Sequence, residues 1–85
     1  MTMLSKSKLI PLLIENGYIE NDKKVGFEAF GRTVLAFVHV KDMEARAKLE
    51  RFLTGLKQKI SPTYSPGYPV VQVQVSYFRA WHWDE

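Results

Sequence analysis

Apolar and polar residues alternate along residues 23–40, on both sides of the pair Gly31-Arg32. A period of two predicts strands, and glycine at the first turn position is typical of a hairpin with a two-residue turn. Such a turn pairs Phe30 with Thr33, so both side chains lie on one face of the sheet. One predicted face carries Val25, Phe27, Ala29, Val34, Ala36, Val38 and Val40. The second face carries Glu28, Phe30, Thr33, Leu35, Phe37 and His39.

A longer alternation covers residues 70–83 and predicts the last strand of the sheet. Its odd positions begin with valines and end with Trp81 and Trp83, so they are expected to join the valine-rich face of the hairpin. A strand of this length exceeds the usual ~5–6 residues and extends beyond the hairpin with which it would pair. We therefore expect its far half to contact a second copy of the chain, because an apolar strand that lacks a partner invites aggregation. The predicted dimer contacts are Phe78, Arg79, Trp81 and Trp83.

The first helix is predicted from a short, strongly apolar segment near the start of the chain. Ser5 or Ser7 can cap its beginning, and Asn16-Gly17 is a stop signal because glycine suits the left-handed position after a helix. Pro11 fits this helix only if it falls within the first turn, where its missing N–H is not needed. The helix must therefore pack its wide apolar face onto another element.

A second helix is predicted from Asp42 to about Ile60, followed by a proline-rich loop over residues 61–69. Its apolar stripe consists of Ala45, Leu49, Phe52, Leu53, Leu56 and Ile60. The resulting order is helix, strand, strand, helix, strand. We expect a single α+β domain over residues 1–85, with a mainly antiparallel three-stranded sheet and the second helix packed on the valine-rich face.

Composition narrows the chemistry of this small chain. The sequence is 46% hydrophobic and contains no cysteine, which excludes a disulfide framework, a thiolate nucleophile and a cysteine-based zinc site. No apolar run approaches the ~20 residues that span a bilayer, so no membrane partner and a cytoplasmic location are expected. The net charge of +3 permits nucleic-acid binding without requiring it.

Catalytic and metal-binding patterns are weak in this sequence. The serines are not set in a glycine elbow, and no acid is placed to orient a histidine beside them. His39 and His82 do not have the spacing of a helical metal motif. We therefore expect no enzyme activity, no cofactor and no metal site.

The second face of the predicted sheet mixes aromatic rings with amides, hydroxyls and imidazoles. Three interpretations stay open: the first helix covers this face, a second copy of the chain covers it, or it is exposed and stacks on the bases of single-stranded nucleic acid. Tyr64 and Tyr68 of the proline-rich loop would add to such a surface. The candidate contact residues for protein or nucleic acid are Phe30, Phe37, His39, Tyr64, Tyr68, Gln72, Gln74, Phe78, Arg79 and His82.

These patterns predict a non-enzymatic binding module that is homodimeric and engages another protein. The alternative function is a regulator that binds single-stranded RNA or DNA through the aromatic and polar sheet face. Basic residues of the second helix surround its axis instead of forming one stripe, which is more typical of solubility than of phosphate binding.

Overall fold

Both helices pack against the same face of an antiparallel sheet in the computed structural model, which describes residues 3–31, 33–61 and 67–76. The elements are α1 (Lys6–Glu15), a short 3₁₀ turn (Asp22–Lys24), β1 (Val25–Phe30), β2 (Thr33–His39), α2 (Met43–Gly55), β3 (Ile60–Ser61) and β4 (Val70–Val75). The strand order across the sheet is β1-β2-β4-β3. The predicted single α+β domain and its element order are confirmed, with four strands where the sequence predicted three.

The hairpin forms in the predicted register. Phe30 pairs with Thr33 across the turn, and Gly31 has a φ of 62°, a left-handed conformation that glycine adopts without steric cost. β4 then pairs antiparallel with the other side of β2, and Val34 lies opposite Val75. The alternation of β1, β2 and β4 therefore places all of their valines except Val70 on one common face.

The core is a single cluster between that valine face and the two helices. Its buried members are Leu9, Leu13, Ile19, Val25, Val34, Ala36, Val38, Val40, Leu49, Leu53, Val71, Val73 and Val75. Tyr18 packs against Phe52 with 5.1 Å between ring centroids, which ties the end of α1 to α2. The interpretation in which the first helix covers the second sheet face is wrong, because Leu9 and Leu13 of α1 enter the same core as α2.

Of the two expectations about α1, the one about its C-terminal end is confirmed and the one about its proline is wrong. Gly17 follows the helix with a φ of 77°, and the Tyr18 N–H donates to the Leu13 carbonyl at 3.0 Å, as expected for a left-handed glycine after a helix. Pro11 does not lie in the first turn, because the helix begins at Lys6. The proline is exposed in the second turn, where its missing N–H leaves the carbonyl four residues earlier without its helical donor.

α2 ends at Gly55, earlier than the predicted Ile60. Lys57 turns the chain with a φ of 61°, and the Gln58 N–H donates to the Leu53 carbonyl at 3.0 Å. This closing turn redirects Ile60 into the sheet, where it forms β3. In the sequence, the apolar residues keep a helical spacing beyond Gly55, so the pattern alone does not show where α2 ends.

Replacing Lys57 with glycine is expected to stabilise the protein by about 1 kcal/mol, because a side chain in the left-handed region is strained and glycine is not. Urea denaturation measures the change in unfolding free energy. Lys59→Gly is the control, since Lys59 is also exposed and its φ is not positive. An unchanged or lower stability for Lys57→Gly would show that the left-handed turn carries no strain.

Strand pairing and backbone hydrogen bonds also occupy the side of β4 that faces away from β2. Ile60 pairs with Val73, and the Gln74 N–H donates to the Lys59 carbonyl at 2.8 Å. Beyond them the Ser76 N–H donates to the Leu4 carbonyl at 2.9 Å. Residues 72–74 of β4 therefore have partners on both sides. Residues 77–85 lie outside the described residues, so the prediction that the strand continues to residue 83 stays a prediction.

Candidate binding face

One face of the sheet carries none of the described helices, and we call it the open face. Strand alternation places its side chains opposite the valines of the core. Its described members are Gly26, Glu28, Phe30, Thr33, Leu35, Phe37, His39, Ser61, Val70, Gln72 and Gln74. The sequence predicted most of this set, because the set depends only on alternation and on the position of the hairpin turn.

Strand pairing arranges these residues in rows across the sheet. The central row runs Gly26, Phe37, Gln72, Ser61, one residue from each strand. A Cβ atom built on Gly26 would meet nothing within 4 Å, so the space beside the Phe37 ring on the β1 side is open. Phe30 lies at the turn end of the face with 54% of its surface exposed. The face thus presents aromatic and apolar side chains with amides next to them.

Gln72 is unusual among the residues of the open face because its polar side chain is buried. It is only 5% exposed, and its Nε2 has no hydrogen-bond partner among the described residues. A buried N–H without an acceptor costs about 1–3 kcal/mol, so most buried amides in proteins are paired. Val70, on the same strand and the same face, is also buried, so the β4 part of this face is shielded within the single chain.

Charge is nearly absent from the open face. The four strands contain no lysine or arginine, and their ionisable side chains are Glu28 and His39. Two basic residues of α2 form ion pairs within the helix. Arg46 pairs with Glu50 at 3.3 Å, and Lys48 lies 3.5 Å from Glu44. In the described part of the chain, lysine and arginine therefore lie on helices, turns and loops.

The structure brings together five of the predicted contact residues on this face: Phe30, Phe37, His39, Gln72 and Gln74. Tyr68 does not join them, because it lies in the loop before β4, where its carbonyl accepts a hydrogen bond from Arg46 at 2.8 Å. Its side chain is exposed. The other predicted residues lie outside the described residues: Tyr64, Phe78, Arg79, Trp81, His82 and Trp83.

A separate groove that the sequence did not predict lies between the end of α1, the end of β2 and the start of α2. Its cavity volume is about 560 Å³, and Tyr18, His39 and Lys48 are among its lining residues. Acidic and basic side chains line it in equal number, with Glu20, Asp42 and Glu44 set against Lys24, Lys41 and Lys48. Asp42 is already engaged, since its carboxylate caps α2 by accepting from the Ala45 N–H at 2.8 Å. The groove therefore offers no concentrated charge of either sign.

Groups suited to catalysis are not assembled in the part of the chain that the structure describes. Within residues 3–31, 33–61 and 67–76, no three histidine, aspartate or glutamate side chains are grouped to hold a metal ion. None of the helices in those ranges combines the length and the apolar character that crossing a membrane requires. The absence of enzyme activity, of cofactors and of metals, and a cytoplasmic location, all stay predictions from the sequence.

Comparisons with protein families, with curated proteins and with solved structures give no match for this chain.

Proposed function

We propose that the protein is a non-enzymatic binding module that uses the open face as its contact surface for another protein. The observation that carries this proposal is a sheet face without a described helix over it, on which Phe30 is exposed and Leu35 and Phe37 are half-buried. Exposed apolar patches rimmed by polar groups mark interaction sites. Aromatic residues are enriched in the centres of protein interfaces.

The charge distribution favours protein over nucleic acid as the partner. Phosphate recognition depends on lysine and arginine that follow the backbone, and the four strands contain neither residue. Protein interfaces show the opposite pattern, because charged residues are depleted from their centres.

The proposal predicts that a charge on the open face abolishes capture of a protein partner from the native host. Phe30→Glu introduces that charge at an exposed position, so the fold is expected to persist. Met43→Glu is the matched control, because Met43 is 44% exposed at the start of α2, away from the sheet. Affinity purification with mass spectrometry should find a protein that binds wild type and Met43→Glu and is lost with Phe30→Glu. The same set of proteins on all three baits would contradict the proposal.

The alternative function, binding of single-stranded nucleic acid, is favoured by one observation: the rings of Phe30 and Phe37 share one face of the sheet. If it holds, Phe37→Ala weakens binding of a single-stranded oligonucleotide by about 1–3 kcal/mol, and Phe78→Ala is expected to do the same. Fluorescence anisotropy at two salt concentrations measures this, because phosphate contacts release counterions and weaken with salt. Binding that is unaffected by Phe37→Ala would remove the sheet face from a nucleic-acid role.

A further inference from the structure

We propose that the protein partner adds an extended segment of its own chain as an additional strand along the free edge of β1. The inference rests on the proposed function, because it states how a partner reaches the open face. In the described part of the chain, β1 is six residues long and pairs with β2 on one side only. Such an edge is a template for another strand, since an extended backbone can match its outward N–H and C=O groups.

The two-residue turn determines which backbone groups point towards this edge. Phe30 and Thr33 flank the turn and form a hydrogen-bonded pair, and bonded and non-bonded pairs alternate along the hairpin from there. Glu28 therefore bonds to β2, whereas its neighbour Ala29 directs its N–H and C=O groups away from β2. The Val25 N–H has the same direction as that of Ala29, and it donates back into the 3₁₀ turn. The stretch of edge that an added strand can use therefore lies towards the hairpin turn.

Burial across the open face shows which part of it a partner can reach. On β4, Val70 and Gln72 are 9% and 5% exposed, so that side of the face is shielded within the chain. Their counterparts on β1 are all exposed: Gly26, Glu28 and Phe30. Ala29, which points to the helix side of β1, is exposed as well. The accessible part of the open face therefore adjoins the free edge, and a strand added there extends this face.

β1 lacks most of the features by which proteins protect an edge strand. It contains no proline and no lysine, and its register with β2 is continuous from Val25 to Phe30, without a bulge. The opposite edge of the described sheet differs, because β3 has only two residues. β1 is therefore the edge at which the described sheet can accept a further strand.

The side chains of β1 define the chemistry of the partner segment. Glu28 is exposed on the open face and is the only charged residue of the strand, so a lysine or arginine beside it forms an opposite-charge cross-strand pair. Gly26 lies two residues away on the same face, and a Cβ built there would meet nothing within 4 Å. An aromatic side chain on the added strand can cover this glycine. The nearby Lys6 lies over the Phe27 ring, on the helix side of the sheet.

The partner segment is thus extended and apolar, with a basic and an aromatic residue two positions apart. Both side chains then lie on one face of the added strand, because strand side chains alternate. Antiparallel pairing is slightly more stable per residue than parallel pairing. We therefore expect the basic residue to precede the aromatic residue in the partner.

Selection from a random library of displayed linear peptides, with the full chain as bait, tests the proposal. Enriched peptides should contain a basic residue followed two positions later by an aromatic residue. Their affinity should fall about tenfold or more with Ala29→Pro, which removes the outward N–H at an edge position that tolerates proline. Ala29→Val keeps that N–H and should change the affinity less than about twofold. Peptides that bind Ala29→Pro as well as wild type, or a selection without enriched peptides, would overturn the inference.

Reversing the charge at position 28 tests the register without a proline. Glu28→Lys should weaken binding of a selected peptide about tenfold, and glutamate in place of the basic residue of the peptide should restore it. Hydrogen exchange gives an independent readout. The Ala29 amide should exchange fast in the free protein and slowly in the complex, whereas the Glu28 amide is protected in both. An Ala29 amide that exchanges equally in both states would overturn strand addition.

The strand addition and the proposed function can fail separately. A captured partner that is lost with Phe30→Glu and kept with Ala29→Pro would leave the open face as the contact surface and overturn strand addition. Selected peptides that need the Ala29 N–H, with the same captured proteins on all baits, would support strand addition and contradict the proposed function. Sedimentation equilibrium should find wild type monomeric. A dimer that Ala29→Pro abolishes would assign the edge to a second copy of the chain and overturn the partner segment.

Discussion

Leu53→Asp is expected to unfold the protein. Leu53 is fully buried in the centre of the α2 stripe, against the valines of the sheet. A carboxylate at this position has no partner and loses its hydration, a cost of several kcal/mol in addition to the loss of the leucine contacts. Domains of this size are stable by only about 5–15 kcal/mol, so this one change removes most or all of the stability.

Circular dichroism and thermal melting measure the effect of Leu53→Asp. Thr54→Asp is the control, because it adds the same charge one residue later on the exposed side of α2. That variant should melt within a few degrees of wild type, since surface substitutions usually change stability by less than ~0.5 kcal/mol. A cooperative transition for Leu53→Asp at the wild-type temperature would show that the packing of α2 on the sheet is wrong.

Leu35→Lys is expected to abolish contacts through the open face while the domain stays folded. Leu35 lies in the row next to the central one, directly opposite Glu28 on β1. The new ammonium group can pair with that carboxylate in the free protein, which offsets the lost apolar contacts. A protein partner would have to bury this charge, so affinity should fall about 100-fold, equal to about 3 kcal/mol.

The same variant separates the two candidate functions. Leu35→Met preserves volume and apolar character, so it should bind a protein partner nearly as well as wild type. A nucleic-acid platform would respond in the opposite way, because an added lysine attracts phosphate and strengthens binding at low salt. Weaker protein capture with Leu35→Lys supports the proposed function, whereas stronger oligonucleotide binding would support the alternative.

The sheet faces were predictable because they follow from local rules. A glycine at the turn fixed the partner of Phe30, and a period of two then assigned every side chain of β1 and β2. Val71, Val73 and Val75 of β4 obeyed the same rule and are buried as expected. No long-range information was needed to place these residues.

The remaining features depend on contacts between distant parts of the chain. α1 is short and apolar, so its sequence fits either face of the sheet, and the observed side depends on contacts such as that of Tyr18 with Phe52. The end of α2 depends on Lys57 in a left-handed conformation that is unusual for its residue type. β3 has two residues and exists only because β4 lies beside it. The unpaired amide of Gln72 becomes visible only when its surroundings are known.

Hydroxyl-radical footprinting with mass spectrometry tests most directly whether the open face is the contact surface. In the dilute protein, Phe30 and Phe37 should be oxidised at rates that match their exposure. In the complex with a captured protein, both should become protected, while Met43 on α2 should react as before. The account would be contradicted if Phe30 and Phe37 reacted equally in the free and bound protein while residues on the helices became protected.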